Sequence, residues 1–335
     1  MMMSKKAALL CLAVLLMAGC HRSGEVKVLK LGHGLDPSHP VHQAMVYMGE
    51  RLAEKSGGTM RIDIYPSQQL GTEREAMELV QIGSLAMAKT SVSVMENFAP
   101  RYQVLGLPFI FRDEAHRFAV FDGPIGEEIL RSSESIRLLG LCFYDAGTRS
   151  FYTVDRPIRT PEDLEGMKIR VQESQTSMRM VSELGGSPTP ISFGELYTAL
   201  QQGVVDGAEN NPPSFYTSRH YEIAKYYTLN EHTGVPDVLL IGTLVWNELT
   251  PQQQQWVQEA ADESAEYQKV LWKEATEEAL QAVQEAGVEI IRPDKGPFRE
   301  KVADMLESYR NQPELYDLIQ RIQAVGAGEG DKESE

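Results

Sequence analysis

The strongest constraint on this chain is a rhythm: short apolar runs alternate with stretches of helical spacing, and the rhythm starts afresh near the middle. Residues 26–31 read as a strand, after which Val41, Ala44, Met45, Met48, Leu52 and Ala53 recur at helical spacing up to Gly57-Gly58. A second strand, 60–65, stops at Pro66, and Thr72 with Glu75 three residues on is a capping-box signature that opens a helix. Further strands are expected at 85–90, 105–111 and 136–144. Strand and helix in this order predict α/β layers around a largely parallel sheet. Beyond Gly147 the pattern restarts, with strands at 150–154, 167–171 and 204–208 and helices at 174–184 and 194–202. A chain of 335 residues is long enough for two lobes, since domains of about 100 to 150 residues are the commonest. Residues 251–287 then hold a helical pattern without a breaker, far beyond the mean of about 11 to 12 residues, which suits a strut crossing both lobes. The expected division is 24–146 plus 236–275 for the first lobe and 147–235 plus 276–325 for the second. Residues 326–335, rich in Gly and acid with nothing to bury, are expected to be disordered.

The N-terminus sets the compartment. Lys5 and Lys6 precede an apolar run at 7–18, and Leu16-Met17-Ala18-Gly19-Cys20 follows in the order of a secretory signal. The run is too short for a membrane span, which takes about 20 residues. Small residues before Cys20 resemble a bacterial lipobox, so 1–19 are expected to be a lipoprotein-type signal peptide and Cys20 to carry lipid. The rest of the chain would then work in the periplasm, anchored to a membrane through that lipid. A formal net charge of −16 and the lack of a basic stripe argue against nucleic acid as a partner, because that binding needs clustered Lys and Arg. Cys142, inside the apolar run 138–144, reads as a small core hydrophobe.

Catalytic and cofactor fingerprints are missing. The sequence has no phosphate-cradling GxxxxGK[ST], no CxxC, no HExxH and no GxSxG elbow. Neither cofactor nor metal is expected; His39 and His42 alone are a weak metal signal and read as a solvated first turn. What stands out is polar chemistry at strand ends. Arg149 follows Gly147-Thr148 after the 136–144 strand, Arg170 alternates with the apolar Ile169 and Val171, and Asn210-Asn211 follow the 204–208 strand. Ligands of open α/β sheets settle outside strand carboxyl ends. Two arginines and an amide there describe an anion site, because guanidinium holds both oxygens of a carboxylate at once. For each arginine, an ion pair with a neighbouring Asp or Glu is the competing assignment.

Several motifs then carry a family resemblance over residues 26–325. Ser187-Pro188-Thr189-Pro190, with Phe193-Gly194-Glu195-Leu196-Tyr197 and Asp206-Gly207-Ala208-Glu209-Asn210 after it, resembles the signature of solute-binding proteins of tripartite ATP-independent periplasmic (TRAP) transporters, the DctP-like family. Tyr65-Pro66-Ser67-Gln68-Gln69-Leu70-Gly71, Leu107-Pro108-Phe109 and Gly166-Met167-Lys168-Ile169-Arg170-Val171 add to it. The resemblance implies an α/β, two-lobed periplasmic binding protein fold with a ligand cleft between the lobes, closing by a hinge, and TRAP membrane permease subunits as partners. It also implies that Arg170 pairs with the ligand carboxylate, with Arg149 and Asn210 as second arginine and motif asparagine, Asn211 as an extra amide, and Phe193 packed on the ligand. Glu73 and His33 would face the cleft from the first lobe and meet sugar hydroxyls. This set is most similar to members that take hexuronates such as glucuronate or galacturonate; sialic acid, other sugar acids and C4-dicarboxylates are the alternatives. A binding protein for an ATP-driven importer or sensor kinase would share this chemistry. A glycoside hydrolase, with Glu73 and Glu209 as its two carboxylates, is the reading from another class.

Overall fold

The computed structural model describes residues 26–326, so the expected signal peptide, Cys20 and residues 327–335 of the expected disordered tail lie outside the described residues. Eleven strands are present among those residues: β1 (Lys27–Gly32), β2 (Met60–Tyr65), β3 (Met87–Ser91), β4 (Leu138–Tyr144), β5 (Arg149–Thr153), β6 (Lys168–Val171), β7 (Ser187–Pro190), β8 (Gly207–Asn210), β9 (Tyr226–Thr233), β10 (Asp237–Gly242) and β11 (Glu289–Ile291). They form two sheets, ordered β2-β1-β3-β10-β4 and β11-β9-β5-β8-β6-β7, one per lobe.

Two of the chain's crossings between the sheets are made by neighbouring strands, and a third, from β10 to β11, by the long helix. The chain leaves the first at β4 and enters the second at β5, then returns from β9 to β10. Tyr144 pairs antiparallel with Asp237 in the first sheet, and Arg149 with Thr233 in the second. One two-stranded ribbon therefore runs through both lobes, with 145–148 and 234–236 as its crossing segments. This corrects the expectation of largely parallel sheets: β1–β2, β1–β3, β6–β7, β6–β8 and β9–β11 are parallel, but β3–β10, β4–β10, β5–β8 and β5–β9, all involving ribbon strands, are antiparallel, so both sheets are mixed. Gly147 stands in a crossing segment at φ +56°, where a Cβ would lie 2.8 Å from Trp272 Nε1, so only glycine fits.

Side-chain alternation builds the first-lobe core. Along β10, Val238 and Leu240 join Met77, Val80 and Leu105 on one face of the sheet, while Leu239 and Ile241 join Leu29, Leu31 and Met45 on the other. Both faces are covered, and each fully buried aliphatic side chain contributes about 1.5 to 3 kcal/mol. Where the sequence predicts a strand at 105–111 there is none: a 3-10 turn, Pro100–Gly106, leads to Pro108, which has no N–H, and to Phe109 at φ 52°. The Ser-Pro-Thr-Pro run does form a strand, β7, at the edge of its sheet, where prolines leave no ladder partner short of a donor.

The long helix, Pro251–Glu285, is unbroken over 35 residues, or about 52 Å. A capping box between Thr250 and Gln253 starts it. Val257, Ala260, Ala261, Ala265 and Trp272 pack into the first lobe, whereas Leu280 and Val283 pack into the second. The division expected at the C-terminus needs one correction. Helix Gly296–Glu307 buries Phe298, Val302 and Met305 in the second lobe, but helix Pro313–Ala324 returns to the first, where Leu315, Leu318, Ile319 and Ile322 join the core around Leu105.

Candidate functional site

Arg170 is the largest fully buried side chain among the described residues, 1% exposed. Strand alternation explains its position, since Ile169 and Val171 enter the second-lobe core and Arg170 leaves from the opposite face. Its Nε–H donates to the Ile191 carbonyl at 2.8 Å, and its guanidinium carbon lies 5.9 Å from the centre of the Phe193 ring. Among the described residues no carboxylate pairs with it, and Nη1 has no hydrogen-bond partner. Burial pushes its pKa below the ordinary arginine value, with Tyr152 and Glu209 pulling the other way. A buried guanidinium without a counter-charge is costly unless an anion arrives to pair with it.

Arg149 is placed otherwise. It forms a buried ion pair with Glu209 through Nε and through Nη2, the latter 2.8 Å from Oε1, and Nη2 also donates to the Glu209 carbonyl at 2.7 Å. Its Nη1 donates to Asn210 Oδ1 at 2.8 Å. Burial works against the charged guanidinium, but Glu209 holds its pKa above the usual value. Burial likewise works against the Glu209 carboxylate, yet Arg149 and His232 bring its pKa down to about 2. The competing assignment, an ion pair within the protein, thus describes Arg149, and the carboxylate is its strand neighbour on β8.

Asn210 sits at the end of β8 rather than after it. Its Oδ1 accepts from Arg149 and from the Asn211 backbone N–H at 2.9 Å, which leaves its amide NH₂ to offer. Asn211 is an N-cap: its Oδ1 accepts from Ser214 N–H at 2.9 Å and starts helix Pro212–Thr217. His33 is turned inward. Leu35 N–H donates to its Nδ1 at 3.1 Å, so the ring proton sits on Nε2, 3.0 Å from His42 Nδ1. Burial first, then the charge of Lys89 and the nearby His42 and His39, lower its pKa to about 2. Both ring nitrogens are engaged inside the protein. His39 is also buried rather than solvated: it caps helix Pro40–Lys55 and bonds Ser214 Oγ of the other lobe at 3.1 Å.

Glu73, the first residue of helix Glu73–Gln81, does face the gap. Its Oε1 accepts from Lys89 Nζ at 2.9 Å and its Oε2 from Ser91 N–H at 3.3 Å. The narrow gap is lined by Gln68, Thr72 and Glu73 from the first lobe and by Arg170, Gln172 and Phe193 from the second. Ser91 Oγ donates to Gln172 Oε1 across it at 3.2 Å, and Thr176 N–H donates to Glu96 Oε1 at 3.1 Å, so the lobes are closed on each other. The cavity there is about 20 Å³, room for one water, so a sugar-sized molecule fits only after the lobes part. A larger cavity of about 870 Å³ lies between the long helix and the crossing segments; neither Arg170 nor Glu73 lines it, so size alone does not locate the chemistry. Sequence reasoning gave no role to Gln68, which lies inside the 65–71 motif, or to Gln172, one residue past the 166–171 motif, and missed the Asp237 carboxylate beside Lys89.

The family model for DctP, bacterial extracellular solute-binding protein, family 7, matches residues 31–312. A TRAP periplasmic solute binding protein from Xanthobacter autotrophicus Py2, solved with bound beta-D-galacturonate, is 41% identical, with 89% of this chain and 99% of that one covered at a TM-score of 0.86. One from Roseobacter denitrificans, solved with bound beta-D-glucuronate, is 37% identical over 89% of this chain and 100% of that one, again at 0.86. The C4-dicarboxylate-binding periplasmic protein DctP of Rhodobacter capsulatus is 32% identical over 72% of each chain. Among the described residues no helix is long and apolar enough to cross a membrane. By its match to the family model and its two-lobed α/β fold, this chain belongs to the DctP family, the solute-binding proteins of TRAP transporters.

Proposed function

We propose that this chain is the extracytoplasmic receptor of a TRAP transporter for a hexuronate, D-galacturonate or D-glucuronate, which it delivers to the membrane permease. The observation that carries the reading is Arg170, buried, facing the gap and unpaired with any carboxylate among the described residues. In this reading its fork takes the sugar carboxylate while Phe193 lies against the ring. Asn210 offers its amide, and Arg149 holds Asn210 in place rather than gripping the acid itself. Glu73 accepts from hydroxyls at the far end, an arrangement that repels a second carboxylate and favours a polyhydroxy monoacid over a C4-dicarboxylate. The ligands of the Xanthobacter and Roseobacter relatives support this class.

The same geometry argues for capture without turnover. A glycosidase needs one carboxyl group free to protonate a leaving group, but Glu73 is held by Lys89 and Glu209 by Arg149. Ligand favours the closed form only through contacts it makes better there than in the open form. A thermal-shift series over organic and sugar acids tests the reading. D-Galacturonate or D-glucuronate at 100 times its Kd is expected to add about 2.7 kcal/mol of stability. Succinate as the strongest stabiliser, or no acid stabilising at all, would count against it.

We further propose that Cys20 is the lipidated first residue of the mature protein, a reading supported by Leu16-Met17-Ala18-Gly19-Cys20. Mass spectrometry of the protein expressed in a Gram-negative host is expected to find an acylated N-terminal Cys20, and Cys20→Ser to move the protein from the membrane to the soluble fraction. A soluble parent with an unmodified N-terminus would refute the anchor.

A further inference from the structure

Behind Glu73 lies a buried cation that the carboxylate-capture account does not use. Lys89, on β3 and 2% exposed, sends its ammonium to Glu73 Oε1 at 2.9 Å and to Asp237 Oδ1 at 3.2 Å. The three groups come from three places: the first turn of a helix, the middle of β3, and the start of β10 just after a crossing segment. Burial works against the charged amine, yet Asp237 and Glu73 keep its pKa above the ordinary lysine value. Burial raises the pKa of Asp237, and Lys89 opposes that rise. The neighbouring imidazoles stay neutral, since burial and then the Lys89 charge lower the pKa of His33 to about 2 and of His39 to about 3.

From this geometry we infer that Lys89 is the positioning residue that sets acid specificity, by fixing Glu73 as a hydrogen-bond acceptor facing Arg170 across the gap. Each Glu73 oxygen takes one bond from the protein, from Lys89 and from Ser91 N–H. A carboxylate has about four lone-pair sites, so two remain for donors on a ligand. Held so, Glu73 accepts from hydroxyls and cannot donate to a carboxylate. One ammonium against two carboxylates leaves this end of the site negative, while Arg170 makes the other end positive. The pair of ends selects a molecule with one anionic head and a hydroxyl-bearing body. Without Lys89, two buried carboxylates stand together and one takes up a proton. In every variant without a cation at residue 89, the ammonium that holds Glu73 Oε1 is gone, and the acceptor that meets the ligand's hydroxyls loses its fixed position.

The inference rests on the sugar-acid reading, and the experiment separates the two. D-Galacturonate and succinate are titrated by calorimetry into the parent, Lys89→Met, Lys89→Arg, and the charge-balanced double variant Lys89→Met with Asp237→Asn, which guards against misfolding. In the double variant the galacturonate-to-succinate affinity ratio is expected to fall at least about tenfold from the parental value, by loss of the sugar acid rather than of succinate. Lys89→Arg, which keeps the charge and the donors, is expected to hold the ratio within about threefold. A parental ratio in a folded double variant, or equal losses for both acids, would overturn the inference and leave the receptor reading standing. A parent that binds neither acid would overturn both.

Discussion

Arg170→Ala is expected to weaken binding of a sugar acid by at least about a hundredfold without lowering the stability of the ligand-free protein. The first half follows from the fork: two charge-assisted hydrogen bonds contribute roughly 1.5 to 3 kcal/mol each, and every 1.4 kcal/mol is a factor of ten. The second half follows from what Arg170 does when alone. It is fully buried, its protein bond is to the Ile191 carbonyl, and Nη1 has no partner among the described residues. Removing an uncompensated buried cation relieves a desolvation cost. Arg170→Lys should be nearly as damaging to affinity as alanine, because a single ammonium cannot reproduce a planar bidentate contact. Calorimetry and thermal melts of the unliganded variants check both halves. An ordinary structural arginine would show the reverse pattern, lost stability with affinity retained.

Glu209→Gln, by contrast, should lose stability in the ligand-free protein. Its carboxylate is buried against Arg149, and removing one partner of a buried pair costs about 3 to 5 kcal/mol because the other charge is stranded. At about 2 to 4 °C per kcal/mol in a large domain, the melting temperature at neutral pH should fall on the order of 10 °C. The pH dependence has a definite sign. Glu209 has its pKa lowered from 4.5 to about 2 by folding, despite burial, through Arg149 and His232. A lowered carboxylate pKa gives stability that is present above about pH 4.5 and is lost as pH falls toward about 2. The gap between parent and variant should therefore narrow on acidification across that window. Melts at pH 7 and pH 3 decide it; a constant gap would mean that the ion pair is not the source.

How much of this was legible in the sequence depends on range. Local signals held: the Thr72/Glu75 end of its helix is set by side chains three residues apart, and the 35-residue strut has no internal Gly or Pro to stop it. Alternation around Arg170 gave its face because Ile169 and Val171 need a core. Pairing across the fold was not legible. Nothing near Arg149 in sequence says that Glu209 of the adjacent strand will take its guanidinium, and nothing near Glu73 announces Lys89 and Asp237. The internal bonds of His33 were not legible either: its partners, Leu35 N–H and His42, are set only by how the chain turns after β1. The apolar run at 105–111 looked like a strand because periodicity cannot see that Pro108 lacks a donor for a ladder or that Phe109 adopts positive φ. The last helix was assigned to the wrong lobe because an apolar stripe does not name the surface it covers.

The account turns on a protein cation receiving the acid group of a small molecule in the gap once the lobes have parted to admit it. Titrating the parent with D-galacturonate and with D-galactose, which differ only in that acid group, tests it most directly. The acid should bind at least about a thousandfold more tightly than the neutral sugar. Comparable affinities for the two would contradict the account, whatever else the gap holds.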